Sequence, residues 1–319
     1  MKIFPRMLWP RQLIHLRTDF FGLEMEINLS SHPLLFTLLG FLLGACLGSF
    51  LNVVVTRAPK GISVIRPASR CPHCSVLIPW TLNLPVFGWI FLRGRTKCCA
   101  NKIPLRYLGV ELFTGLAFGW SFHCFHVQPD LGMLLASCAF AWLMIGVVAV
   151  DAETMLIPDR FSIGGTFVGL GLCLYFPSIQ GVVFHSFGAE RMLSAIHCLL
   201  GILVGSGLLY WIGALASKVF GREALGEGDI KLLGCVGAFC GWKGAVFSIF
   251  GGSLLGCLLL LPCLLAQHLK SKKNSSAEDK FLGMEIPFGP YLSLAGIGYF
   301  FGLREWVDPW FKWLEYFPG

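Results

Sequence analysis

From residue 34 to residue 303 the chain is a succession of apolar stretches long enough, or nearly so, to cross a bilayer, beginning with LLFTLLGFLLGACLGSFLNVVV at 34–55. A membrane-crossing helix needs roughly 20 such residues. Further stretches lie near 107–126, 131–150, 161–177, 193–215, 229–241, 245–267 and 286–303. The predicted fold class is therefore all-α: a polytopic membrane helix bundle of about eight transmembrane helices with a cytoplasmic Cys-containing loop. The 319 residues are 55% hydrophobic and 13% charged, against roughly a quarter charged in a soluble domain, which leaves little room for a separate soluble unit.

Charge sets the orientation. Residues 57–106 carry nine basic side chains and no Asp or Glu, so the positive-inside rule puts this loop in the cytoplasm. Alternation then places 151–160, 216–228 and 268–285 on the same side, the last with Lys270, Lys272, Lys273 and Lys280. The net charge of +7 accordingly reports topology, and no nucleic-acid partner is expected. The tail before the first span holds Lys2, Arg6, Arg11 and Arg17, which this scheme would translocate; a translation start at Met25 would remove all four. The spans 161–177 and 229–241 are short and rich in glycine, so a wet cavity reaching into the membrane is expected.

Two acids end up on one face. Asp151, in VVAVDAETMLIPDR, closes the span 131–150 at its cytoplasmic end, and Asp229, in GEGDIKLLG, opens the span at 229–241 on that side. Ionised acids inside the bilayer are costly and usually functional, though less costly at its boundary. One reading makes Asp229 a helix cap, worth about 0.3–1 kcal/mol. Capping alone does not require Gly226 and Gly228, which clear space for a backbone or an extended peptide. Two aspartates in contact can share one proton, one acting as base toward water and the other as acid toward a carbonyl oxygen. That chemistry needs no metal. Paired membrane acids also serve transporters, the alternative class.

Nine of the 13 cysteines lie in apolar stretches as packing groups. Cys71, Cys74, Cys98 and Cys99 share the basic loop, where clustered cysteines on a cytoplasmic face point to metal.

In order along the chain, GSFLNVVVTRAP (48–59), CPHC (71–74), IPWTLNLPVFGWIFLRG (78–94), RYLGVELFTG (106–115), DAETMLIPD (151–159), GEGD (226–229) and IPFGPYLSLAG (286–296) resemble the type IV prepilin leader peptidase and N-methyltransferase family, a branch of the GxGD membrane aspartic proteases. The resemblance covers about 34–303. It implies a tail at 1–33, a methyltransferase-associated part at 34–126, a peptidase core at 127–303 and a tail at 304–319. Asp151 and Asp229 map to the catalytic pair, supported by Gly226, Gly228, Pro158, Asp159, Pro287, Gly289 and Pro290. Glu111, Gly94, Asn52 and Arg57 fall in the half associated with methyl transfer; as a bare feature, Glu111 could instead pair with an arginine of the basic loop. The resemblance further implies a multi-pass protein of the bacterial inner membrane with its site facing the cytoplasm. Its substrates would be type IV prepilins and pseudopilins, cleaved after a glycine, and the new N-terminal residue, usually Phe, would be methylated from S-adenosylmethionine.

The family loop commonly carries two CxxC pairs, and four thiolates make a tetrahedral zinc site. Here the second pair would fall at 96 and 99, and position 96 is Thr96. Adjacent side chains diverge, so three outcomes stay open: Cys98 replaces the missing ligand, His73 contributes, or no zinc binds beside Cys71, Cys74 and Cys99. A peptidase with impaired methyl transfer is the corresponding functional alternative.

Overall fold

The computed structural model describes residues 32–66, 69–71, 73–79, 82–182, 187–221, 225–271 and 287–311. The tail 1–31 with Met25, the stretch 272–286 and the tail 312–319 lie outside the described residues. Within them the chain is helical, with no strand and only two isolated bridges. The main helices are α1 (Pro33–Arg57), α2 (Phe87–Phe91), α3 (Leu105–Val127), α4 (Leu131–Thr154), α5 (Asp159–Tyr175), α6 (Phe187–Phe220), α7 (Glu227–Ser271) and α8 (Gly289–Gly298). Helices thus occupy all eight apolar stretches, with α7 spanning two of them.

Among the described residues four segments are long and apolar enough to cross a membrane: Pro33–Lys60, Leu131–Thr154, Gly188–Phe220 and Glu227–Leu260. The last is not one straight rod. Gly241 has φ 68° and ψ −178°, and a methyl group added to Gly205 would lie 2.7 Å from the Leu233 carbonyl oxygen and 3.1 Å from Ala245 Cβ. Residues 233 and 245 would stand about 18 Å apart along a straight helix. The chain therefore folds back at Gly241, where only a residue without Cβ takes this conformation freely. The separate short span expected at 229–241 is the first limb of that hairpin.

Lipid gives no hydrophobic drive for helices to meet, so close backbone packing takes its place. On α1, Gly40, Gly44 and Gly48 face Phe122, Phe118 and Glu111 of α3 in reverse order, which fixes an antiparallel pair. Gly201 of α6 and Gly237 of α7 meet still more closely, each with the other's carbonyl about where a Cβ would stand. Large side chains such as Leu203, Trp211, Phe250 and Leu254 point outward, as they must to face acyl chains.

α4 lies at the centre. Phe140, Met144, Val147 and Val150 are fully buried, and the Phe140 ring packs 5.1 Å from Phe239 and 5.2 Å from Phe300. Asp130 caps its start, accepting the Met133 N–H at 3.0 Å. Met155 ends it in a left-handed conformation, φ 53°, so the helix runs less than one turn past Asp151, to Thr154, before the chain turns into α5 through Ile157 and Pro158.

Gly237→Ala should overpack the α6–α7 contact and cost about 1–3 kcal/mol, seen as a lower unfolding midpoint in detergent. Gly171→Ala, with nothing within 4 Å of the added methyl, should leave the midpoint unchanged or raise it.

Candidate active site

Three chain segments converge on Asp151. Its side chain is 3% exposed and its Oδ2 has no hydrogen-bond partner among the described residues. α8 approaches it backbone first: the Gly289 N–H faces the carboxylate, and a Cβ on Gly289 would lie 2.6 Å from Asp151 Oδ2. No other residue fits there without displacing the acid. Pro290 starts α8 at its first turn, with Pro287 and Phe288 leading in.

Asp229 sits in the first turn of α7, half-buried, its N–H donating to the Gly226 carbonyl at 3.2 Å. Its Oδ2 lies back over Gly226, 3.7 Å from where a Cβ would be, which is also the favourable end of the helix dipole. Asp151 and Asp229 are close enough to act on each other electrostatically. Beside them, between the backbones at 228 and 289, stands Ile157, whose side chain lies 3.1 Å from a Cβ on Gly228 and 2.9 Å from one on Gly289. The glycine clearance at 228 is thus taken up by the protein's own isoleucine. Sequence reasoning did not single out Ile157, since an apolar residue in an apolar chain carries no signal.

Asp159 points away from the pair. Its Oδ1 accepts from Lys231 Nζ at 3.0 Å, and Lys231 also stands 3.9 Å from Glu227. These groups are exposed, so the interaction is worth about 0.2–1 kcal/mol; it ties the starts of α5 and α7 together. Pro158 precedes α5 in extended conformation. Lys231, the lone charge inside IKLLG, was the legible sign of this contact. On the other flank, Arg106 at the start of α3 pairs with Glu153, two residues past Asp151.

In the basic loop all four sulfurs of Cys71, Cys74, Cys98 and Cys99 lie within 4.8 Å of one another. The Cys71–Cys99, Cys74–Cys98 and Cys98–Cys99 separations are 3.7, 3.2 and 3.9 Å, near the roughly 3.8 Å edge of a tetrahedron with 2.3 Å zinc–sulfur bonds. His73 is outside the group. Two matching turns explain the convergence. Cys71 and Thr96 each donate their N–H to the residue five on, at 2.9 and 2.8 Å, and each accepts from the residue four on, at 2.9 Å. Ser75 and Ala100 close the turns with positive φ. Thr96 therefore occupies the place of Cys71, as the spacing predicts. Cys98 occupies the place of His73 and reaches across to Cys74, so the expected divergence of adjacent cysteines is what brings Cys98 and Cys99 to different edges of one site. Thr96 keeps a supporting contact, its Oγ1 3.1 Å from Cys99 Sγ. Peptide N–H groups of Cys74 and His73 draw the Cys71 thiol down to about 6, while the neighbouring Cys74 pushes Cys98 up to about 12.

Glu111 meets no arginine among the described residues: its Oε2 accepts the Val86 N–H at 2.7 Å, with Ser49 and Asn52 facing the same carboxylate. Asn52, 2% exposed, donates to the Tyr107 carbonyl at 3.0 Å. Gly94 is buried at φ 67°, and a Cβ there would lie 2.6 Å from the Trp89 ring. Arg57 donates to the Ser63 carbonyl at 3.2 Å and lines a cleft of about 400 Å³ with Ser49, Phe50, Val53, Asn83 and Pro85.

Residues 42–125 match the bacterial peptidase A24 N-terminal domain and residues 138–261 the type IV leader peptidase family. The prepilin leader peptidase/N-methyltransferase of Stutzerimonas stutzeri is 31% identical over 291 residues, covering 84% of this chain and 91% of its own length. Its namesake in Pseudomonas aeruginosa is 32% identical over 292 residues, covering 84% and 91%, and that of Klebsiella pneumoniae 35% over 223 residues, covering 67% and 89%. No solved structure matches. The chain belongs to the type IV leader peptidase family and is an enzyme.

Purified protein should carry about one zinc per chain by elemental analysis. Cys98→Ser should lose it and Thr96→Cys should retain it; loading should fall as pH falls, because metal competes with protons for each thiolate. Gly289→Ala should abolish peptide cleavage, by on the order of 10²-fold or more, while the protein still accumulates in the membrane.

Proposed function

We propose that this protein is a bifunctional prepilin peptidase of the bacterial inner membrane, with about eight transmembrane helices and a site facing the cytoplasm. It cuts the leader from type IV prepilins and pseudopilins after a glycine, then methylates the new N-terminal residue, usually Phe. The observation that carries the proteolytic half is the convergence of Asp151, Asp229 and the bare Gly289 backbone in a protein of this family.

With one proton shared between the two carboxyls, the ionised one takes a proton from water as the oxygen attacks the scissile carbonyl carbon. The protonated one gives its proton to the carbonyl oxygen. Collapse of the resulting diol breaks the C–N bond as one hydroxyl returns its proton to the second carboxylate and the carbonyl re-forms, while the departing amine picks up the proton taken from water. A bare backbone at Gly289 leaves room beside Asp151 for an extended peptide. Burial of Asp151 keeps the shared proton from bulk water.

When bound, S-adenosylmethionine would supply an electrophilic methyl group to the freed amine, the thioether S-adenosylhomocysteine leaving as the amine gives up a proton. The cleft on the cytoplasmic end of α1 fits such a donor in size, within the roughly 300–1,000 Å³ of small-molecule sites. Arg57 would hold its carboxylate, Phe50 offers a face for the adenine, and Ser49 and Asn83 supply polar contacts. Zinc on the four thiolates would pin the two turns of the basic loop and act structurally, since a closed four-sulfur site has no open position.

A prepilin with a leader ending in Gly followed by Phe, co-expressed with the wild type, should be shortened. Asp151→Asn and Asp229→Asn should each slow cleavage by ~10²–10⁴-fold with normal protein levels. Both variants should still methylate a pre-cleaved substrate. Persistent cleavage in either variant would remove it from the pair.

A further inference from the structure

The backbone of Val86 is the most strained point of the described loop. Its φ of 64° and ψ of −54°, with Phe87 N–H donating to the Pro85 carbonyl at 2.6 Å, make a tight three-residue turn of the rare, strained hand. A β-branched residue there is a genuine outlier. Such conformations persist only where surrounding structure imposes them. The imposing group is Glu111 of α3, which takes the Val86 N–H at 2.7 Å and whose carboxylate is itself fixed by Ser49 and Asn52 of α1. Val86 is 7% exposed, so this N–H has no water to turn to if Glu111 is removed.

The turn sits at one wall of a cleft. Asn83 and Pro85, just before Val86, form that wall, and Ser49, Phe50, Val53 and Arg57 of α1 form the other. Ser49 belongs to both the cleft and the Glu111 network. The width of the cleft is therefore set by the strained turn, and the turn by Glu111.

We infer that Glu111 is a positioning residue: by holding Val86 in its left-handed turn it fixes the Asn83–Pro85 wall of the cleft against α1, and so shapes the site for an adenosyl sulfonium donor without touching the donor itself. This rests on the proposed methyl transfer, and deepens it by assigning the donor a wall and the acid a mechanical role. A glycine at position 86 adopts positive φ without strain, so the geometry predicts a suppressor.

The test uses full-length protein in detergent, with equilibrium binding of radiolabelled S-adenosylmethionine and methylation of a pre-cleaved pilin as readouts and cleavage of an intact prepilin as the control for folding. Glu111→Ala should weaken donor binding on the order of tenfold or more and keep cleavage. Glu111→Gln, which can still accept the Val86 N–H, should keep most of the binding. Adding Val86→Gly to Glu111→Ala should recover binding and methylation together. If the double variant binds and methylates no better than Glu111→Ala, or if Glu111→Gln fails as completely as Glu111→Ala, Glu111 acts chemically and the inference is overturned. A wild type that binds donor nowhere and methylates nothing would instead refute the methyl-transfer reading on which the inference rests.

Discussion

The constraint on which the rest of the structure depends is a carboxylate, Asp151, buried at the end of the central apolar helix with one oxygen left without a partner. In a medium that cannot hydrate it, such a group persists only if its surroundings are built to size. α4 must stop there, and a left-handed Met155 stops it. α8 must approach with backbone alone, and Gly289 allows that. α7 must bring a second acid without a side chain in the way, and Ile157 fills the space left by Gly228. Each of these features lies in a different stretch of sequence, and each accommodates the same buried acid.

Glycine is also how the bundle closes at all. Helices in lipid gain nothing by hiding leucine from leucine, so contact has to come from close backbone approach and dispersion. The pairs α1 with α3 and α6 with α7 are both zipped along glycines, and the fold-back at Gly241 lets two limbs of one helix serve two neighbours. Polar contacts add to this: Asn52 donates to the Tyr107 carbonyl between α1 and α3, Trp142 to the Leu47 carbonyl at 3.1 Å, Ser194 to the Cys173 carbonyl at 2.9 Å, and Gln180 to the Ala238 carbonyl at 3.0 Å, just before the turn.

The two halves of the chain, matched by separate family domains, are tied together beside Asp151. Arg106 reaches Glu153 within two residues of Asp151, and Lys231 links α5 to α7 two residues past Asp229. Both bridges are partly exposed and individually weak. Their common effect is to hold helix ends, where the acids sit, in a fixed relation while the lipid-facing bodies are free of such links.

The sequence by itself determined a great deal here. The apolar stretches that become helices follow from run length, the expected orientation from nine basic residues without an acid, and the expectation that Asp151 and Asp229 share a side from counting spans, because hydropathy and charge bias are local and additive. Even the place of the missing second cysteine, Thr96, is a matter of spacing, and the paired turns agree with it. What only the tertiary structure decided are the long-range meetings. That Cys98 turns back to Cys74, that Glu111 takes an amide and no arginine, that Ile157 separates Gly228 from Gly289 and that α7 reverses at Gly241 all depend on where distant segments arrive. A side chain's partner across 25 or 130 residues leaves no periodicity to read, since packing in three dimensions, and not the chain's own propensity, selects it.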